Sequence, residues 1–302
     1  MWFWLSLIAL LCWSGSDLFS KIGCRDPRDK FSPLKMVIAV GVVMGLHAAY
    51  EIFVGGTEIN LSILLTYLPV SLLYISSMTL GYVGLRYIEL SISSPICNSS
   101  GALVAVMTLI FSGISGYSPL ALVAVALVCA GAIGLGVVDA CEDEDLRAAR
   151  QETSNYKYAK SAMALAMPVA YCLLDAAGTF ADNRVLETLN EDSANVAYEL
   201  TFLLAAVVCF VYVVLIKRTP LIPKLEAPKY IGAVCETAGQ FAYIYAIADT
   251  AHLAMSAPII SSYCAASVLW SRIFLKEKLS WKHYAMIALV VIGIVMIGVF
   301  DI

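Results

Sequence analysis

Two halves of this sequence repeat each other, and the repeat lies in long apolar segments. Six residues of the first half recur at a constant spacing in the second half: Leu90, Ser93, Pro95, Ile96, Ser99 and Phe111 return as Leu253, Ser256, Pro258, Ile259, Ser262 and Phe274. Tyr82 recurs as Tyr245 at the same spacing. With one residue of slippage, Ser118, Gly131 and Gly136 return as Ser280, Gly293 and Gly298. A shared spacing that includes Pro, Tyr and two Gly indicates that one structural unit has been duplicated.

The composition places this duplicated unit in a lipid bilayer. The chain has 302 residues, of which 61% are hydrophobic and 14% are charged, and its mean hydropathy is +0.83. A soluble protein of this length has much less apolar surface to bury. Uncharged apolar runs of about 20 residues cross the hydrocarbon layer, and ten such runs occur: roughly 2–22, 33–54, 62–84, 89–112, 118–139, 158–182, 194–216, 228–247, 251–274 and 281–300. The sequence therefore predicts an all-α polytopic membrane protein with ten transmembrane helices.

The basic residues predict which way these helices cross. Every Lys and Arg except Arg184 falls on alternate connections, which all emerge on one side of the membrane. Loops rich in Lys and Arg stay in the cytoplasm. We therefore expect a multi-pass protein of the plasma (inner) membrane with both termini extracytoplasmic. The first apolar run lacks the basic start and the small-residue cleavage site of a signal peptide, so we expect it to be retained.

The repeat divides the chain into three parts. Residues 1–139 form a first five-helix repeat, residues 140–157 a charged cytoplasmic linker, and residues 158–302 a second five-helix repeat. An odd number of spans in each repeat reverses the orientation of the second copy, which predicts two inverted repeats around a central cavity. Internally repeated helical membrane proteins commonly hold a ligand where the repeats meet, near the bilayer midplane.

Four acidic residues lie at bilayer depth: Asp17, Asp175, Glu199 and Glu236. A charged side chain in the middle of a span costs about 2.5–3.5 kcal/mol on insertion scales, so such residues face a partner or a cavity. The basic residues lie near span ends, where a side chain such as Lys35 can extend to the membrane surface. A cavity with this balance of charge favours cations or protons over anions.

Aromatic residues accompany two of these acids at matching places in the two halves. Trp13 precedes Asp17 by four residues, and Tyr171 precedes Asp175 by four, so each pair shares one helix face. Aromatic faces attract cations, including quaternary ammonium groups. The other candidate solute-binding residues are polar or aromatic and lie within the predicted spans: Tyr74, Tyr82, Asn98, Tyr245, Ser262 and Tyr263. The alternative for each ring is plain helix packing or an interfacial belt.

Proline marks equivalent points in two of the predicted spans. Pro95 and Pro258 lie shortly after the starts of the spans at 89–112 and 251–274. Proline lacks a backbone donor and disfavours a straight helix before it, and the freed carbonyls require protein or water as partners inside a membrane. These segments are candidate cavity walls or hinges, and the alternative is a simple kink.

The motifs of several function classes are missing from the sequence. It contains no glycine-rich phosphate loop, zinc-protease helix or nucleophile elbow, and its nine cysteines have no Cys/His spacing suited to a metal. We therefore expect no enzymatic activity, no cofactor, no bound metal and no nucleic-acid partner.

Short motifs in both halves resemble the drug/metabolite transporter superfamily, in particular its EamA-type members. They are the stretches Ser93–Ile96 and Ser256–Ile259 and the junction Phe274–Ser280, which leads into a glycine-containing last span. The resemblance implies ten helices in two inverted five-helix repeats around a central cavity that opens alternately to the two sides. Members of the superfamily move amino acids, nucleotide sugars, drugs, amines or choline, so the resemblance implies transport without fixing the solute.

These observations favour a secondary transporter of a small organic cation or amine, choline-like or polyamine-like, driven by protons or by the membrane potential. Its partners are then the solute, the lipid bilayer and protons as coupling ion. Asp175 and Glu236 are the foremost candidates for holding the solute or a proton. The alternative within transport is an exporter of neutral or zwitterionic metabolites such as amino acids, in which the acids bind protons only. A third hypothesis is a membrane receptor or assembly partner without transport activity.

Overall fold

A computed structural model describes residues 1–26, 28–113, 117–141 and 162–300, and every regular element in these ranges is a helix. The helices are α1 (Trp2–Cys24), α2 (Ser32–Tyr50), α3 (Leu61–Tyr87), α4 (Leu90–Asn98), α5 (Ser100–Ser112), α6 (Pro119–Ala140), α7 (Ala162–Val185), α8 (Glu191–Phe210), α9 (Pro223–Ala248), α10 (Leu253–Ser261), α11 (Tyr263–Trp270) and α12 (Trp281–Phe300). Three of them continue as short π-helical turns, at Glu51–Gly55, Val211–Ile216 and Ser271–Leu275, and a 3₁₀ turn at Thr250–His252 precedes α10.

The helices form ten segments in the described ranges, because α4 with α5 and α10 with α11 are each one interrupted segment. Eight of the ten are long and apolar enough to cross a membrane. The other two are α7 and α9, which have 24 and 26 residues. Both are long enough to span a membrane, but acidic side chains such as Asp175, Asp182 and Glu236 reduce their mean hydropathy. Most of the predicted linker at 140–157 lies outside the described residues.

Asparagine caps begin two of the helices that follow short connections. The Asn60 side chain accepts a hydrogen bond from the Ile63 amide at 3.0 Å, and the Asn190 side chain accepts one from the Asp192 amide at 2.9 Å. Such caps satisfy amides that the first helical turn leaves unpaired. They fix the starts of α3 and α8, which both leave the end of the bundle that carries few basic residues.

Two segments are interrupted at equivalent points of the two halves. The first is interrupted at Ser99, four residues after Pro95, and the second at Ser262, four residues after Pro258. Each proline lacks the amide that would continue the helix and crowds the turn before it. The hydroxyl of Ser99 donates to the Pro95 carbonyl at 3.0 Å, and the Ser262 amide donates to the Pro258 carbonyl at 2.9 Å. The carbonyls of the two prolines are thus satisfied within their own segments.

Helices of the first half pack mainly against helices of the second half. The main pairs are α1 with α9, α3 with α7, α2 with α8 and α6 with α12. The interrupted segments cross, so that α4 packs on α11 and α5 packs on α10. If each helix is replaced by its counterpart in the other half, the same set of helix pairs results. The largest cluster of buried apolar side chains lies where α1, α2, α3, α8 and α9 meet.

The contact between α6 and α12 depends on a glycine from each helix. A Cβ atom on Gly131 would lie 2.8 Å from the Met286 carbonyl oxygen, and one on Gly293 would lie 2.7 Å from the Ala124 carbonyl oxygen. Small residues allow membrane helices to approach this closely. These glycines, paired in the sequence repeat, therefore serve close packing.

Candidate functional site

A central cavity with a volume of about 70 Å³ lies between the two halves. Its wall includes the aromatic residues Trp13, Tyr74, Tyr82, Tyr171, Tyr198, Tyr243 and Tyr263. Three carboxylates also line it: Asp17, Asp175 and Glu236. The described residues of the wall include no Lys, Arg or His, so the cavity is lined by acidic groups without basic ones.

Asp17 and Asp175 are held by serines of the interrupted segments. Asp17 on α1 accepts hydrogen bonds from the hydroxyls of Ser94 on α4 and Ser267 on α11, the latter at 2.8 Å. Asp175 on α7 accepts one from the hydroxyl of Ser100 on α5 at 2.7 Å. Each acid is therefore bonded by the helix that follows the interruption in the opposite half. A movement of either interrupted segment would alter the surroundings of these carboxylates.

Glu236 lies on α9, and its side chain is buried. The indole nitrogen of Trp13 donates to the backbone carbonyl of Glu236 at 3.4 Å. The contact between α1 and α9 thus presents Trp13, Asp17 and Glu236 to one compartment.

The aromatic rings contact one another around the cavity. The centroid of the Trp13 ring is 5.0 Å from that of Tyr243 and 5.9 Å from that of Tyr263. The Tyr74 and Tyr198 rings meet edge to face at 5.9 Å. Rings held in this way have little freedom, and their negative faces can receive a cation beside the carboxylates.

Three polar groups of the wall have no hydrogen-bond partner among the described residues. They are the hydroxyls of Ser20 and Tyr82 and the amide nitrogen of Gln240. Buried polar groups in proteins nearly always have a partner. The Asn98 amide nitrogen, by contrast, donates to the Ser94 carbonyl at 2.7 Å. Ser20, Tyr82 and Gln240 are therefore the polar groups best placed to bond a solute.

The structure gathers most of the residues proposed from the sequence, and three of them lie elsewhere. Glu199 is fully buried against His47, with 2.8 Å between carboxylate and ring nitrogen. Tyr245 donates to Asp192 near the start of α8. Ser262 donates to the carbonyl of Ile259. None of the three is part of the described wall of the cavity.

Asp182 is an acid that the sequence analysis did not single out. It is fully buried on α7 and accepts hydrogen bonds from Tyr67 at 2.7 Å and from Tyr74 at 3.3 Å. It lies at the end of the predicted span 158–182, so it did not count as an acid at bilayer depth. The available signal was its spacing from Asp175, since residues two helical turns apart lie on one face.

Buried ion pairs connect helices at the end of the bundle that is rich in basic residues. Lys35 pairs with Asp29 at 3.0 Å and with Glu226 at 3.2 Å, and Lys229 pairs with Glu226 at 2.8 Å. Lys35 is therefore buried in a network and does not extend to the surface as the sequence suggested. In the exposed connection beside this network, hydrogen bonds from Arg28 hold the pKa of Asp26 below its ordinary value.

Comparison with known proteins identifies the kind of molecule that has this architecture. Residues 164–299 match the EamA-like transporter family. A solved structure, titled only as the crystal structure of a protein, shares 14% sequence identity with this chain and superposes with a TM-score of 0.63. The alignment covers 98% of this chain and 96% of that one, and at this identity it establishes the fold alone. No curated protein matches the sequence.

The apolar helices and this family match indicate a multi-pass membrane protein, and the match favours a transporter of small molecules. More particularly, the match at residues 164–299 confirms the predicted resemblance to EamA-type members of the drug/metabolite transporter superfamily. The family consists of transporters and not of enzymes, which agrees with the sequence analysis.

Proposed function

We propose that this protein is a secondary transporter of a small organic cation or amine, choline-like or polyamine-like, and that it works by alternating access. The proton gradient or the membrane potential drives it. The solute occupies the central cavity, where Asp175 and Glu236 balance its charge. Trp13, Tyr82 and the other rings of the wall surround its apolar part.

The observation that carries this proposal is the chemistry of the cavity wall. Asp17, Asp175 and Glu236 share one compartment with many aromatic rings, and the described wall has no basic residue. Inside a membrane such carboxylates need a counter-charge or a proton. An organic cation supplies the charge, and its apolar substituents fit the faces of the rings. The family match supports transport in general and leaves the solute open.

The packing of the helices supports ten transmembrane spans in two inverted five-helix repeats. Each helix of residues 1–139 has a counterpart in residues 158–302. If every helix is replaced by its counterpart, the contact of α1 with α9 becomes the contact of α7 with α3. The contacts of α2 with α8 and of α6 with α12 become themselves. The basic residues favour a plasma membrane location with both termini and the Arg184 connection outside and the linker 140–157 in the cytoplasm.

The way the acids are held supports alternating access. Asp17 and Asp175 are each bonded by a serine beyond an interruption, Ser267 for the first and Ser100 for the second. When a cation binds, it competes for these carboxylate oxygens and weakens the hydroxyl contacts that join the halves. The interrupted segments are then free to rearrange, which opens the cavity to the opposite side.

A thermal-unfolding screen of the purified protein tests this proposal. The probes are choline, tetramethylammonium, spermidine, a set of neutral amino acids and a nucleoside. Binding raises the apparent stability by mass action, by about 2.7 kcal/mol when the ligand is at one hundred times its Kd. We expect at least one of the amines to stabilise the protein and the nucleoside to have no effect.

Two variants and one control connect the stabilisation to the cavity. Asp175→Asn and Glu236→Gln should each abolish the amine effect, whereas Asp249→Asn, which removes a carboxylate outside the described cavity wall, should retain it. If only neutral amino acids stabilise the protein, and both variants still bind them, the cation proposal is wrong. The exporter of neutral or zwitterionic metabolites then takes its place.

A further inference from the structure

We propose that Asp182 is a proton-binding site that holds the outer end of the cavity closed while its carboxylate is charged. The inference rests on the proposed transport function and adds a site outside the cavity wall. Protons from the outer solution convert the carboxylate to the neutral acid, and the outer end then opens.

The first step of the argument is the bonding of Asp182. One carboxylate oxygen accepts from the Tyr67 hydroxyl at 2.7 Å, and the other accepts from the Tyr74 hydroxyl at 3.3 Å. The Tyr243 hydroxyl is in turn hydrogen-bonded to that of Tyr74. A charged carboxylate only accepts hydrogen bonds, so it suits several hydroxyl donors at once.

These bonds join helices of the two halves. Tyr67 and Tyr74 belong to α3 in the first half, whereas Asp182 on α7 and Tyr243 on α9 belong to the second. Thr179, one turn before Asp182, contacts the hydroxyls of both Tyr74 and Tyr243, at 3.2 Å and 3.3 Å. Since Tyr74, Tyr243 and Thr179 also line the cavity, this cluster closes the cavity on the side of α7 that leads to the Arg184 connection.

The second step concerns charge. Asp182 is 0% exposed, and in the described part of the chain it forms no ion pair with a Lys, Arg or His. Burying a carboxylate without a cation costs free energy, which its hydrogen bonds offset only while they all remain in place. Protonation removes the charge, so the hydrogen bonds with the tyrosine hydroxyls lose their charge assistance and weaken.

The titratable groups that face Asp182 from the surrounding helices do not replace it as the proton-binding group. On α3 and α9 these groups are Tyr67, Tyr74 and Tyr243. Tyr198 of α8 contacts the Tyr74 ring edge to face. Helix α5 carries no acidic or basic residue. On α4, the titratable side chain that lines the cavity is Cys97. Arg184 on α7 pairs with Glu187 at the surface at 2.8 Å. On the cavity side Asp175 is bonded by Ser100 and belongs to the solute site.

Labelling of Cys97 tests the proposal without knowledge of the solute. This native cysteine lines the cavity, so in a variant that keeps it as the sole cysteine a membrane-impermeant thiol reagent reports whether the cavity is open to the side of addition. The reagent is added to whole cells and, separately, to inside-out vesicles, at neutral pH and at about pH 5, nearer the ordinary range of aspartate. Thr188→Cys, an exposed position in the same background without Cys97, gives the reagent's own pH dependence.

We expect labelling from outside to be slow at neutral pH and to become faster at low pH. Asp182→Asn should label about tenfold faster at neutral pH and lose the pH response, because the amide keeps one acceptor oxygen and the lost bonds were to a charged group. Tyr67→Phe removes a single donor and should label at an intermediate rate. This second variant keeps the test valid if Asp182→Asn does not fold.

Asp192→Asn is the matched control, because Asp192 also accepts from a tyrosine hydroxyl, that of Tyr245, but both residues belong to the second half. It should label like the background protein. The proposal is overturned if Asp182→Asn and Tyr67→Phe label from outside like the background at both pH values. It is also overturned if the low-pH response persists in Asp182→Asn, or if the faster labelling occurs only in inside-out vesicles. None of these results bears on amine binding or transport, which are measured separately.

Discussion

Tyr82 is the residue at which solute recognition can be separated from protein stability. Its hydroxyl lines the cavity and has no partner among the described residues. We expect Tyr82→Phe to weaken binding of the amine about 2- to 12-fold, since a neutral hydrogen bond contributes about 0.5–1.5 kcal/mol. The unfolding temperature without ligand should not fall. Ligand titrations monitored by thermal unfolding give both quantities.

Tyr74→Phe is the matched comparison, because Tyr74 lies on the same helix but its hydroxyl contacts Thr179, Asp182 and Tyr243. It should lower the unfolding temperature in the absence of any ligand. Wild-type affinity in Tyr82→Phe would show that the hydroxyl does not bond the solute.

Glu226 tests the buried charges at the basic end of the bundle. It pairs with both Lys35 and Lys229, whose side chains are almost completely buried. Removing one partner of a buried pair leaves a charge uncompensated, so we expect Glu226→Gln to cost about 3–5 kcal/mol of stability. Thermal unfolding in detergent measures the loss.

Glu187→Gln is the control for this change. The Arg184–Glu187 pair has the same 2.8 Å separation as the pair between Lys229 and Glu226, but both partners are about half exposed. An exposed pair contributes about 0–1 kcal/mol. Equal losses in the two variants would contradict the buried network.

At the scale of the helices, the close contact of α6 with α12 is open to a direct test. We expect Gly131→Ala to destabilise the protein by about 1–3 kcal/mol, because the new methyl group would crowd the Met286 carbonyl and force the helices apart. Gly136→Ala makes the same change in the same helix, where the nearest atom, in Ile96, is 3.5 Å away. It should be tolerated. Thermal unfolding of both variants decides the matter, and equal stability would contradict the packing described.

The interruptions of two segments show how far sequence predicts an element. Pro95 and Pro258 indicated two special points at the same place in the repeat, because proline has a fixed effect on the backbone around it. The sequence did not predict that each helix is interrupted four residues later, at Ser99 and Ser262. That position depends on the packing of each segment against the other half.

At the scale of the whole molecule, the sequence predicted two repeats around a central cavity but not the hydrogen bonds within that cavity. The acids at bilayer depth were visible because a charge in an apolar run is costly. The partners of Asp17 include Ser267, which lies far away in the sequence and carries no distinguishing pattern. Glu199 carried the same signal as Glu236 but pairs with His47 outside the cavity. A single sequence shows that a buried acid needs a partner, whereas the fold determines which partner it has.

Uptake into proteoliposomes tests the central claim most directly, since it asks whether the cavity carries an organic cation across a membrane. The purified protein is reconstituted, an inside-negative potential or an outward proton gradient is imposed, and accumulation of the amine that stabilised it most is followed. We expect uptake that depends on the gradient, is lost in Asp175→Asn and is retained in Asp249→Asn. Uptake no greater than that of empty liposomes under either gradient, with an amine that does bind, would contradict the account.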